Sequence, residues 1–114
     1  MRILLVDGYP ERAAVLKQTL FAAGHHIVAH FDHGCDLREE VLRIAPDMVI
    51  IDIDSPNRDI LEDMHALNRE QPRPFVIFTQ DDNPDLIRNA VAAGVSAYVV
   101  GDLDPARVPP AGRG

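Results

Sequence analysis

Met48-Val49-Ile50-Ile51-Asp52-Ile53 is the most apolar run of the chain, with nothing polar before Asp52. A continuous run of β-branched residues, without polar alternation, reads as a strand covered on both faces. Such a strand belongs in the middle of a parallel sheet. Outward from it, Ile3–Val6 and Ile27–Phe31 on one side and Phe75–Phe78 and Ala97–Val100 on the other read as further strands.

Longer amphipathic stretches separate these runs. A helix opens near Pro10, a residue suited to a first helical turn, presents Val15, Leu16, Thr19, Leu20 and Ala23 on one face, and stops at Gly24. Asp36–Ile44 is a short helix ending before Pro46. A third is capped by Asp59 and presents Leu61, Met64 and Leu67. A fourth starts at Asn83-Pro84, carries Leu86, Ile87, Ala90 and Val91, and closes at Gly94.

Strands and helices alternate without exception, which predicts an α/β fold with a doubly wound, five-stranded parallel sheet. Right-handed crossovers leave few topologies, and at this length the flavodoxin-like order 2-1-3-4-5 is the expected one. After Val100 the pattern breaks off. Asp104–Val108 begins a helix that Pro109-Pro110 ends within a turn, and residues 106–114 read as a disordered Pro/Gly tail. The fifth helix is therefore expected to be truncated or absent. Its flank is left to solvent or to another chain, which makes a homodimer one expected assembly.

The chain has 114 residues, enough for one core. No apolar run approaches the roughly 20 residues that span a bilayer, and the short first run ends in an acid with no cleavage site, so no membrane association and a cytoplasmic location are expected. Cys35 is the only cysteine, which excludes an intrachain disulfide. A net charge of −7 repels phosphate backbones and argues against nucleic-acid binding by this domain. Lys17 is the only lysine among eleven basic residues.

In a doubly wound sheet, ligands bind beyond the carboxyl ends of the strands. Those ends carry Asp7, Asp52, Asp54, Thr79 and Gly101. Carboxylates gathered there suit a hard cation such as Mg²⁺, which offsets their repulsion and screens a phosphoryl group placed on one of them. Thr79 is placed to donate its hydroxyl to that group. A lone acid at a strand end is more often a solvated loop residue, but several on one edge favour a site.

Ile3-Leu4-Leu5-Val6-Asp7, Pro46-Asp47 through Asp54-Ser55-Pro56, Val76-Ile77-Phe78-Thr79 and Gly94 through Val100 resemble the receiver domains of two-component response regulators, a CheY-like fold. The resemblance covers residues 1 to about 105. It implies that Asp52 is the phospho-acceptor, that Asp7, Asp52 and the Asp54 carbonyl hold Mg²⁺, and that Thr79 and Tyr98 are the switch residues. A histidine kinase or sensor protein is the implied partner, and the domain itself is not an enzyme. Pro10-Glu11-Arg12-Ala13, Asp52 through Asp59, Gln71-Pro72-Arg73-Pro74 and Gly94 through Val100 are similar to ANTAR antitermination regulators of the nitrate-assimilation and amidase type. The RNA-binding domain of those proteins would begin where this sequence stops.

Two positions depart from the family. Receivers usually carry a second acid after the first strand, where this chain has Gly8, and a lysine at the end of the fifth strand, where it has Gly101. Arg58 and Arg88 are the candidates to supply the missing cation, although a guanidinium is not equivalent to an ammonium. A phosphorylation-independent pseudo-receiver that binds a sensor protein is accordingly the main alternative.

His25, His26, His30, His33 and Cys35 crowd the second strand, but their spacing fits no zinc pattern, and a half-exposed edge strand explains them. Asp81-Asp82 reads as a solvated loop that adds acidity to the site mouth. A flavodoxin-like cofactor binder is disfavoured, because Asp7-Gly8-Tyr9-Pro10-Glu11 places acids where a phosphate-cradling loop needs Gly, Ser and Thr.

Overall fold

Strand β3 (Met48–Asp52) is flanked on both sides, by β1 (Arg2–Asp7) and β4 (Phe75–Thr79). Its apolar residues Val49, Ile50 and Ile51 are buried, as a strand packed on both faces requires. In the computed structural model, which describes residues 1–101, β2 (His26–Phe31) and β5 (Ala97–Val100) complete a parallel sheet of order β2-β1-β3-β4-β5. The doubly wound α/β fold read from the sequence is therefore correct. The expectations of a truncated or absent fifth helix and of a disordered tail over 106–114 fall outside the described residues.

Helices α2 (Leu37–Ile44), α3 (Arg58–Glu70) and α4 (Pro84–Ala92) cover one face. Their Leu37, Val41, Ile60, Met64, Leu67 and Ala90 pack on Leu4, Val6, Val49, Ile51, Phe75 and Ile77. Helix α1 (Pro10–Ala22) covers the other face, where Ala13 and Leu16 pack on Ile3, Leu5 and Ile50. Met48, Val76 and Phe78 are only partly buried on that side. Among the described residues no helix is long and apolar enough to cross a membrane.

Local details correct the sequence reading in two places. Asn57, not Asp59, caps α3: Asn57 is extended and its Oδ1 accepts from the Ile60 amide at 2.9 Å. Asp59 falls within the first turn, where its charge meets the positive end of the helix dipole. On α1, Thr19 is exposed, the following Ala23 lies past the helix end, and the buried stripe runs through Ala13 and Leu16, with Leu20 partly buried. Apolar residues surround this helix on several sides, so periodicity alone identifies its inner face poorly.

Candidate functional site

The register of β1 against β3 sets the site. Asp7 and Asp52 are direct cross-strand partners at the carboxyl edge, and both are buried. Two carboxylates brought together away from water repel each other, and water no longer stabilises their charge. Burial, reinforced by the hydrogen bond to Asp7 and repulsion from it, pushes the Asp52 carboxyl up to about 7, while Arg12 pulls the other way.

Arg12 stands in the first turn of α1, with Nε 3.0 Å from Asp52 Oδ2 and Nη2 3.6 Å from Asp54 Oδ1. Its guanidinium carbon lies 3.8 Å from the centroid of the Tyr9 ring, a cation–π contact. Tyr9 is itself tied to both Asp7 and Asp54. Its amide donates to Asp7 Oδ1 at 2.7 Å, and its hydroxyl donates to Asp54 Oδ2. That hydrogen bond to Asp54 is the first cause of a raised Tyr9 phenol pKa, since ionisation would set two negative charges against each other.

Two histidines buttress the strand ends. His30 Nε2 lies 2.8 Å from the Asp7 carbonyl, and His33 Nε2 lies 2.7 Å from the Asp52 carbonyl. A carbonyl only accepts, so each Nε2 carries the proton. The Gly8 amide also approaches His33 Nε2, at 3.2 Å, but that nitrogen has no lone pair to offer it in this tautomer. The His33 ring also packs edge-on against Tyr9, at 5.2 Å between centroids.

On the other side of Asp52, Thr79 is buried and its hydroxyl donates to the Asp54 carbonyl at 2.6 Å. Thr79 Oγ1 in turn accepts from the Asp81 amide at 3.1 Å, and Tyr98 donates its hydroxyl to the Asp81 carbonyl at 2.8 Å. Ser55 Oγ donates to Asp81 Oδ2 at 2.7 Å. That bond, with the Asn83 amide, holds the Asp81 carboxyl below the usual carboxylate range. A continuous hydrogen-bonded path thus joins the loop after β3 to Tyr98 on β5.

The sequence-predicted residues therefore separate into groups. Asp7 and Asp52 meet directly, and Thr79 and Tyr98 are linked to the site through Asp54 and Asp81. The Asp54 side chain turns outward: it is 67% exposed, against 3% for that of Asp52. Arg58 and Arg88 do not reach inward, because each is exposed and paired on its own helix, with Glu62 at 2.8 Å and Asp85 at 3.1 Å. Lys17 is exposed on α1. Sequence reasoning missed Arg12, Tyr9, His30 and His33. A cation in the first turn after an acidic strand end was the available signal for Arg12; for the histidines only the register of β2 on β1 reveals the contact.

Among the described residues no three His, Cys, Asp or Glu side chains form a metal-binding group. Zinc is accordingly unsupported at the His/Cys cluster, and Cys35 packs against the core with its thiol pKa raised, first by burial. Mg²⁺ makes a smaller demand, because it keeps several waters and needs only one or two carboxylates. Asp7 Oδ2 and Asp52 Oδ2 are buried without a hydrogen-bond partner, and they fit that donor set. The Asp54 carbonyl retains one lone pair beside the one engaged by Thr79.

Comparisons with known proteins bear on the family and the fold. The family model described as "Response regulator receiver domain" matches residues 3–111. The chain is 28% identical over 109 residues to chemotaxis protein CheY1 of Helicobacter pylori, covering 92% of this chain and 88% of that one. It is 29% identical over 110 residues to the transcriptional regulatory protein PdtaR of Mycobacterium tuberculosis, covering 92% of this chain but only 54% of that relative. Among solved structures, a LuxR-family two-component response regulator from Aurantimonas sp. superposes with a TM-score of 0.76 at 25% identity, over 93% of this chain and 77% of that one. The signal receiver domain of the putative response regulator NarL from Mycobacterium tuberculosis gives a TM-score of 0.74 at 21% identity, over 87% and 82% of the two chains. With its sheet order, its paired acids at the carboxyl edge and a family match over nearly its whole length, this chain belongs to the response regulator receiver family.

Proposed function

We propose that this chain is a phospho-acceptor receiver of a two-component pathway, with Asp52 as the acceptor. The observation that carries the reading is the pairing of buried Asp7 with buried Asp52 at the carboxyl edge, each with a carboxylate oxygen lacking a hydrogen-bond partner. In the transfer, an Asp52 carboxylate oxygen bonds to phosphorus as the P–N bond of a donor phosphohistidine breaks. The departing imidazole nitrogen then takes a proton from water. Asp7 and Asp52, with the free lone pair of the Asp54 carbonyl, would hold Mg²⁺, which when bound screens the acids from the incoming phosphoryl oxygens. The Thr79 hydroxyl is the switch group: leaving the Asp54 carbonyl for a phosphoryl oxygen would break the path through Asp81 to Tyr98.

A histidine kinase or sensor protein is the partner, and the domain acts in the cytoplasm on no turnover substrate of its own. The receiver unit spans residues 1–105. Output at the level of transcription antitermination, through an RNA-binding unit outside this sequence, rests on the ANTAR-like segments and on the similarity to PdtaR, of which this chain spans about half. The test is incubation with phosphoramidate and Mg²⁺, followed by intact mass and peptide mapping. One phosphoryl group on Asp52, absent from Asp52→Asn, is expected. An unmodified wild-type chain at saturating Mg²⁺ would favour the second reading, a pseudo-receiver switched by protein binding, which the Arg12–Asp52 ion pair and Gly101 support.

A further inference from the structure

The chain has no lysine at the end of β5, yet a phosphoryl group on Asp52 would bring new negative charge into a pocket that already holds the buried carboxylates of Asp7 and Asp52, with the exposed Asp54 carboxylate at its rim. Among the described residues, Arg12 is the basic side chain paired with Asp52. Its contact is incomplete in a specific way. Nε and Nη2 are both buried, and neither makes a hydrogen bond of acceptable geometry, even though carboxylate oxygens lie within 3.0 and 3.6 Å. Buried guanidinium donors without acceptors are costly. They are also the groups that a tetrahedral oxyanion satisfies best, because the planar fork presents two parallel N–H bonds to two oxygens.

The placement of the guanidinium is built from several directions. The Tyr9 ring supports it from one side, and the Tyr9 amide and hydroxyl bind the two flanking acids, Asp7 and Asp54. The other inward candidates are held elsewhere, Arg58 by Glu62 and Arg88 by Asp85. A phosphoryl group on Asp52 would place its oxygens next to donors that are already in position, with little side-chain entropy left to lose.

Resting on the assignment of Asp52 as acceptor, we propose that Arg12 is the phosphoryl-binding cation of this receiver. Supplied from the first turn of α1 on a Tyr9 platform, it takes the part for which the end of β5 offers only Gly101. In the unmodified protein the same side chain neutralises Asp52. On modification its Nε–H and Nη2–H groups turn from the Asp52 and Asp54 carboxylates to the phosphoryl oxygens.

The test uses beryllofluoride, a non-covalent phosphoryl mimic, titrated into the full chain at saturating Mg²⁺ and followed by fluorine NMR. Wild type, Arg12→Ala, Arg12→Lys and Asp52→Asn are compared, with circular dichroism confirming that each is folded. The expected result is an affinity for beryllofluoride about tenfold lower in Arg12→Ala, partly restored in Arg12→Lys, and absent in Asp52→Asn. Wild-type affinity in Arg12→Ala would overturn the role of Arg12 while leaving the assignment of Asp52 intact. Binding in Arg12→Ala but not in wild type would also overturn it, by showing that Arg12 blocks the pocket. Binding in none of the four would remove the acceptor reading and the proposal together.

Discussion

His33 Nε2 lies 2.7 Å from the main-chain carbonyl of Asp52, and the ring reaches it by crossing directly over Gly8. A Cβ built on Gly8 would stand 3.3 Å from His33 Cε1 and Nδ1. The glycine and the histidine are thus two halves of one local solution. Where receivers usually place a second acid, this chain has no side chain at all, and an imidazole from the exit of β2 closes the space and ties β2 to β3 across β1.

Gly8→Asp should therefore do two opposing things. The new carboxylate beside Asp7 and Asp52 raises Mg²⁺ affinity by about tenfold or more. Without metal it adds like charge and displaces His33, lowering stability by about 1–2 kcal/mol. Calorimetric Mg²⁺ titration and thermal melts with and without Mg²⁺ measure both effects. Unchanged affinity would show that the introduced carboxylate does not face the pocket.

The shift of Asp52 has a defined sign for stability. Its folded pKa, about 7, is above that of an unfolded aspartate. The folded metal-free protein thus binds the extra proton, and stability falls as pH rises from the ordinary carboxylate range to about 7, then levels off. Asp52→Asn should remove most of this slope and stabilise the chain at pH 8 by about 1–3 kcal/mol, less the lost pairing with Arg12. Urea denaturation at pH 5 and pH 8 in the presence of a chelator decides it, and a slope retained in the variant would assign the titration to another group.

The two tyrosines report on separate parts of the site. Both phenols are raised, Tyr9 chiefly by its hydrogen bond to Asp54 and Tyr98 chiefly by burial. Asp54→Asn should bring one of the two phenolate transitions back toward the ordinary value and leave the other in place. An alkaline absorbance titration separates them. Two unmoved transitions would mean that the Tyr9–Asp54 contact does not persist in solution.

Backbone conformation sets two further outcomes. Ala45, which ends α2, has a φ of 52°, in the left-handed region where a Cβ is unfavourable, so Ala45→Gly should raise stability by about 0.5–1 kcal/mol. Gly94 has a φ of 101°, and a Cβ there would crowd Nδ2 of Asn68, which donates to the Ala93 and Gly94 carbonyls at 3.1 and 3.2 Å. Gly94→Ala should cost about 1–3 kcal/mol. Thermal denaturation checks both, and a neutral Gly94→Ala would mean that Asn68 moves aside freely.

The order of elements, the central place of the Met48–Asp52 strand and the acids at the strand ends could all be read from the chain, because hydrophobic period and turn residues are local properties. Asn83 capping α4 and Pro10 opening α1 were legible for the same reason. Which charged group meets Asp52 was not. Arg12, Arg58 and Arg88 are equivalent as letters, and the distinction depends on where the parallel register and the first crossover set each helix start above the sheet edge. The contact of His33 with Asp52 was hidden in the same way, because it joins the exit of β2 to β3, and those are brought near each other only once β1 lies between them. Composition fixes what groups are available, and long-range pairing fixes which of them touch.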